Sequence, residues 1–328
     1  MIVNGVFEGG GVKGISLVGA VQAAERHGVV FERVAGTSSG SIVATLLAAG
    51  YRAEDMKRAI ELTPFSSLLR RSRLFGLKPF GPAIRLLMKK GLYSGDALRE
   101  WISGLLAARG VRTFADLPPG KLQIIASDIT NGRLLVLPKD IAAYGIVPEF
   151  LPVADAVRMS TSIPYFFDPV RLYERPPLPQ RTNGKERPRR KQIKSAYIVD
   201  GGLLSNFPLW LFDPKEGESQ GLPAIGFQMV GRLEAQPRRI SGPISMFEAM
   251  FSTMLGAHDE RYIEQHNRLR TVKIPTLGIA TTDFRLSAED SERLYRSGLE
   301  AGNYHFSHCN RTTGLLEEAK NGPDVRRH

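Results

Sequence analysis

The chain has 328 residues, is 42% hydrophobic, and carries 33 glycines, 21 prolines and one cysteine, Cys309. A lone thiol closes no internal disulfide and no apolar run approaches the ~20 residues of a membrane span, so neither a disulfide-stapled module nor a helical membrane protein fits. The net charge of +11 is local: residues 68–91 hold seven Lys or Arg and no acid, residues 171–194 hold nine against Glu174 and Glu186, and the rest is slightly acidic. Concentrated positive charge suits an anionic partner, a phospholipid surface or a nucleic acid. The start, MIVNGVFEGGG, has neither a basic region nor a long apolar core, so the expectation is a soluble, cytoplasmic protein.

Along the chain, IVNGVF (2–7) reads as a strand, followed by the glycine loop EGGGVKG. Residues 14–27 form a small-residue apolar helix that stops at Gly28. FERVAG (31–36) is a second strand, and SIVATLLAAG (41–50) a second apolar helix. Strand, helix, strand, helix within fifty residues predicts right-handed βαβ units on a parallel sheet. Helices apolar nearly all round lie deep in a layered fold. Residues 53–62 and 94–108 read as amphipathic helices, and 64–92 between them as a broken amphipathic cap. KLQIIASDI and LLVLP are strands about an Asn131-Gly132 turn, a strong hairpin signal. A helix over 152–163 stops at Pro164, and a mobile basic insertion spans about 175–194. SAYIVDGG, AIGFQMVG and TVKI are later strands, with a long helix over 243–268. Ser287 caps a helix reaching about 305, and the tail after Asn310 is polar and frayed. The reading is one domain over 1–310 with a tail at 311–328: a three-layer α/β/α fold on a mainly parallel sheet.

Gly36-Thr37-Ser38-Ser39-Gly40 fits G-x-S-x-G between a strand and an apolar helix. Such a turn strains its central residue and exposes that hydroxyl at a helix N-terminus, where developing oxyanion charge is favoured. The alternative is an ordinary N-cap serine with turn glycines. The loop GGGVKG offers backbone N–H groups at the same sheet edge, those of Gly10 and Gly11 foremost, with Lys13 in the first helical turn. Gly9, Gly11 and Gly14 also fit the dinucleotide pattern G-x-G-x-x-G, but the acid that pattern wants at the end of the second strand is absent, because Glu32 stands at its beginning. Among candidate bases, none of the six histidines ends a predicted strand. Asp200 does, on Gly201-Gly202, although its unperturbed pKa of about 3.9 makes it a weak base unless burial raises it. Asp128 is the nearest competitor and reads as a hairpin residue.

GGGVKG, GTSSG and DGG in that order resemble the patatin-like phospholipases, and ASDITNGR and MSTSIPYFFDPV agree with the same family. The resemblance covers about residues 3–230. It implies an α/β fold and hydrolysis of lipid acyl esters by a Ser–Asp dyad without metal or cofactor. Carried over, Ser38 is the nucleophile, Asp200 the base, Gly36 and Gly40 the elbow glycines, and Gly9, Gly10, Gly11, Lys13 and Gly14 the oxyanion loop. Lys13 stands where many members carry Arg and lacks the fork of donors. The substrate expected is a phospholipid or lysophospholipid, with 64–92 and 175–194 forming one face for an anionic membrane and no nucleic acid bound. An acyltransferase or thioesterase using the same serine, or a non-catalytic binder of anionic membranes, are the rivals.

Overall fold

The computed structural model describes residues 1–63, 65–69, 85, 86, 88–173, 195–214, 221–231, 240–242, 246, 249, 250, 253, 270–279, 281 and 286–320. The basic insertion at 175–194, most of the 64–92 cap and nearly all of the helix expected over 243–268 lie outside the described residues.

The N-terminal quarter follows the sequence pattern closely. Strand β1 (Ile2–Phe7) leads into helix α1 (Gly14–Arg26), and β2 (Val30–Thr37) into α2 (Ser39–Ala48). An amphipathic α3 (Ala53–Glu61) buries Ala53 and Met56. Strand β3 (Gly91–Tyr93) and helix α4 (Asp96–Ala107) come next, then the hairpin β4 (Leu122–Asp128) and β5 (Arg133–Leu137). Helix α5 (Val153–Ser160), the short strands β6 (Tyr165–Phe167) and β7 (Val170–Tyr173), β8 (Ser195–Asp200), β9 (Ala224–Val230), β10 (Thr271–Pro275) and α6 (Ala288–Lys320) complete the order.

The main sheet runs β10-β9-β1-β2-β4-β8-β7, with β5 beside β4. The first five strands of that order are mutually parallel, while β5, β8 and β7 join antiparallel. Flanking helices make the three-layer α/β/α arrangement that βαβ alternation predicts. Because α1 is built of small residues, it comes very close to α6: a Cβ on Gly19 would collide with the Tyr295 carbonyl, and one on Gly298 with that of Ser16. That contact buries α1 and explains its lack of a polar face.

Phe7 and Phe227 are register partners on β1 and β9, stacked at 4.9 Å, with Phe31 edge-on to both at 5.9 Å. Burying each ring contributes about 2–3 kcal/mol. The cluster fixes the end of β1 one residue before the glycine loop.

The structure departs from the sequence reading in three respects. Strands β3, β6 and β7 are only three or four residues long, too short for an alternating pattern to show. Helix α6 continues to Lys320 rather than ending near 305, carried through the expected tail by helix formers such as Leu315, Leu316, Glu317 and Ala319. Arg85, counted in sequence among the headgroup-facing cations, is 2% exposed and forms a two-pronged ion pair with Asp168 at 2.8 Å for each bond. No helix among the described residues is long and apolar enough to cross a membrane.

Candidate active site

The site begins with register. Phe7 lies opposite Gly36, and Thr37 opposite Ile125, so the loops after β1 and β2 open at one edge. Ile124 and Ala126 each pair with β5 on one side of β4. The other side carries β2 up to Ile125 and then β8 from Ala126 onward, with Asp200 opposite Ala126. Strands β2 and β8 therefore meet end to end along a single edge of β4, from opposite directions. Their meeting point is Ser38 and Asp200. The sequence places Asp200 at the carboxyl end of a strand beside the serine; the position is right, but the strand runs antiparallel to β4.

Ser38 joins β2 to α2 with φ 51° and ψ −124°, backbone values that cost a non-glycine residue about 1–3 kcal/mol. The surrounding contacts hold it there. Its N–H donates to Ser160 Oγ at 2.8 Å, and its carbonyl accepts from the N–H and Oγ of Ser41 at 2.9 and 2.6 Å. Thr37 Oγ1 donates to the Ser205 carbonyl at 3.0 Å. The tight crossing requires both elbow glycines: a Cβ on Gly36 would strike the Gly40 backbone, and one on Gly40 the Phe7 carbonyl.

Ser38 Oγ donates to Asp200 Oδ2 at 2.6 Å. Asp200 is 1% exposed, and its other oxygen accepts the Gly202 N–H at 2.8 Å. Burial pushes the Asp200 carboxyl up to about 7, against the opposing pull of the hydrogen bonds from Ser38 and Gly202. An aspartate poised near neutrality beside a strained serine has the protonation behaviour a general base needs.

The glycine loop is partly engaged. The Gly9 N–H donates to the Asn206 carbonyl at 3.1 Å, and the Gly10 N–H to Ser39 Oγ at 2.9 Å. Gly11, at φ 58°, has an N–H with no partner among the described residues, as does the first N–H of α2 at Ser39. Of the two loop donors expected from sequence, Gly11 is open and Gly10 is covered by a neighbouring hydroxyl. The half-buried Lys13 runs alongside Gly10, and Gly14 begins α1 against Ser39. Ser38 and Gly11 open into an apolar pocket walled by Ile42, Leu68, Leu98, Ile163 and Phe167.

Asp128 is no rival base. Burial would raise its carboxyl, but hydrogen bonds from Tyr144, Asn131 and Thr130 outweigh that and hold it below the usual carboxylate range. His27 packs on Phe306 and His308 on Tyr304, while His258, His266 and His328 lie outside the described residues. Glu32 is exposed at the start of β2, opposite the loop end. Among the described residues no three His, Cys, Asp or Glu side chains gather to hold a metal.

Sequence reasoning passed over Ser160, Asn206 and Glu8. The first two lie inside stretches singled out as MSTSIPYFFDPV and YIVDGGLLSNFP, yet their partners are 122 and 197 residues away. No local pattern marks such pairs.

A mainly parallel α/β/α sheet with a strained serine elbow facing a glycine loop and a buried aspartate defines the class. Residues 5–213 match the patatin-like phospholipase family, and the chain belongs to that family. It is 40% identical to the uncharacterized protein YqhO of Bacillus subtilis over 91% of this chain and 96% of that one. A probable lipid hydrolase, 463L of Invertebrate iridescent virus 6, is 24% identical over 62% of this chain and 61% of its own. Among solved structures, VipD of Legionella pneumophila shares the fold, with TM-score 0.51 and 18% identity over 93% of this chain and 67% of that one.

Proposed function

We propose that the protein is a lipid acyl hydrolase of the phospholipase A or lysophospholipase type, working through a Ser38–Asp200 dyad within a single catalytic domain over 1–310. The observation that carries this reading is the 2.6 Å hydrogen bond from Ser38 Oγ to Asp200 Oδ2 at the base of an apolar pocket. Family membership supports it.

In the first half-reaction Asp200 Oδ2 takes the hydroxyl proton as Ser38 Oγ bonds to the acyl carbon. The carbonyl π electrons move to oxygen, and the oxyanion is held by the N–H groups of Gly11 and Gly10, the latter exchanging Ser39 Oγ for the charged oxygen. The positive end of α2 adds to that stabilisation. Collapse breaks the ester C–O bond, and the leaving alcohol takes the proton from Asp200. In the second half-reaction Asp200 removes a proton from water, the hydroxide attacks the acyl-serine, and the tetrahedral adduct releases fatty acid. Ser38 Oγ takes its proton back from Asp200. The apolar pocket walls of Ile42, Leu98 and Phe167 offer an acyl chain a surface to lie against beside Ser38.

Activation of the same serine by a histidine is the feature that would favour a transferase or thioesterase. Asp200 in that position supports the hydrolase instead. For membrane contact we propose an anionic surface met from the cytoplasmic side, with the exposed Lys89 and Lys90 among its contributors and Arg85 excluded by burial. The test is lipid-product mass spectrometry on mixed liposomes, wild type beside Ser38→Ala and Asp200→Ala. Free fatty acid from wild type and none from either variant is expected; release undiminished in a variant contradicts the dyad.

A further inference from the structure

Asp200 opens a short segment, Gly201–Asn206, that touches every part of the site. The Gly202 N–H holds Asp200 Oδ1, the Ser205 carbonyl accepts from Thr37 in the elbow, and Asn206 takes hold of the glycine loop. That last grip is two-sided. The Asn206 carbonyl accepts the Gly9 N–H at 3.1 Å, while Asn206 Nδ2 donates to the Gly9 carbonyl at 3.1 Å. Both peptide planes flanking Gly9 are thereby fixed.

The consequence follows from peptide geometry. In a planar trans peptide the C=O and N–H point in opposite directions. Turning the Gly9 carbonyl toward Asn206 turns the Gly10 N–H away from it, toward the elbow, where it now meets Ser39 Oγ at 2.9 Å. A second buried side chain sets which end of the Asn206 amide faces the loop. Glu8, 4% exposed, accepts from Asn206 Nδ2 through Oε1 at 3.3 Å and from the Met229 N–H through Oε2. A carboxylate accepts only, so it selects the NH₂ end of the amide, and the Gly9 carbonyl receives its donor. The fit leaves no slack: a Cβ on Gly9 would collide with Asn206 Oδ1 and lie 3.1 Å from Ser38 Cβ.

We infer that Asn206, oriented by the buried Glu8 carboxylate, is a positioning residue of the oxyanion loop, aiming the Gly10 N–H through the Gly9–Gly10 peptide. The inference rests on the proposed hydrolase. Asn206 touches no reacting atom; it acts on where one N–H points. Misplacement of a catalytic group by about 1 Å can cost 10²-fold in rate, so a loosened loop acts on turnover rather than on substrate binding.

The test uses the full chain, a soluble short-chain ester, and thermal melting. Asn206→Asp is nearly isosteric but replaces the donor with an acceptor facing both Glu8 and the Gly9 carbonyl. It is expected to lower kcat by about 10- to 100-fold, with KM within twofold and a lowered melting midpoint. Asn206→Ser is the alternative if that variant does not fold, with the same kcat and KM pattern. The double variant Glu8→Gln with Asn206→Asp separates positioning from stability. Its new amide at position 8 can donate to the new carboxylate at position 206 while still accepting from the Met229 N–H. The midpoint therefore recovers, yet the Gly9 carbonyl still lacks a donor and kcat stays low. Recovery of kcat along with the midpoint, or single variants with wild-type kcat, would overturn the inference. A wild type that neither cleaves esters nor is labelled at Ser38 by a fluorophosphonate would instead overturn the hydrolase reading beneath it.

Discussion

Asp128 and Asp200 end neighbouring strands, two positions apart across the β4–β8 register, and are 0% and 1% exposed. Their environments have opposite effects. Asp128 accepts from the N–H groups of Thr130 and Asn131, from Asn131 Nδ2, from Tyr144 OH at 2.6 Å and from Arg133 at 3.3 Å. Asp200 accepts from Gly202 and Ser38. Burial raises both carboxyl groups; only at Asp128 do enough donors surround the charge to reverse the effect. One aspartate is locked as an anion that holds a hairpin together. The other keeps its proton affinity near neutral pH. Burial alone therefore does not make a base: the count of donors facing the charged form decides it.

The sharpest way to break this contrast is to remove each charge with an isostere. Asp200→Asn is expected to lower kcat for ester hydrolysis by about 10³-fold or more, because an amide takes no proton from Ser38. Its melting midpoint at pH 8 should rise, since a buried carboxylate with few donors is gone. Asp128→Asn should do the opposite to stability and spare the chemistry. Turnover of the folded fraction stays within a few-fold of wild type, while stability falls by about 2–4 kcal/mol as Tyr144, Asn131 and Arg133 lose a charged acceptor. Melting curves and single-substrate kinetics on both variants check the exchange.

Next in size is the core under the loop. Phe7→Ala leaves a cavity against Phe227 and Phe31 and should cost about 3–5 kcal/mol, measured by denaturant unfolding.

The pH dependence separates the two aspartates more gently. A folded-state pKa raised from 3.8 to about 7 means the folded protein keeps a proton that the unfolded chain gives up. Asp200 thus subtracts stability as pH rises from about 4 to about 7, up to about 4 kcal/mol. The lowered pKa of Asp128 adds stability above its unfolded value, and that contribution is lost as pH falls through the folded one. Comparing pH–stability profiles of wild type and Asp200→Asn isolates the first effect. A smaller change is expected from Ser160→Ala, which removes the acceptor of the strained Ser38 N–H and should cost about 1–3 kcal/mol with a modest loss of turnover.

How much of this was readable from the chain depends on the span of each interaction. The first fifty residues declare themselves because βαβ alternation and the Gly36 and Gly40 brackets are local. The Asn131-Gly132 hairpin is local too, with Gly132 at φ 63°. Asp200 was visible as a strand-end acid before two glycines, but the direction of its strand was not. That direction shows only in the register of β8 on β4 and on β7, and β7, at four residues, is too short to be marked as a strand by its pattern. Arg85 misled for a related reason: seven cations without an acid read as part of a face for an anionic membrane, while the carboxylate that pairs with one of them, Asp168, lies 83 residues on. Glu8, Ser160 and Asn206 stand in or beside recognised motifs, yet what they hold is far away in sequence.

The most direct measurement is the rate at which a fluorophosphonate probe adds to the protein as pH is varied, with the labelled peptide identified by mass spectrometry. The account predicts a single adduct on Ser38, forming faster as pH rises through about 7 and lost in Asp200→Asn. An adduct on another residue, or a Ser38 rate that is indifferent to Asp200, would contradict it.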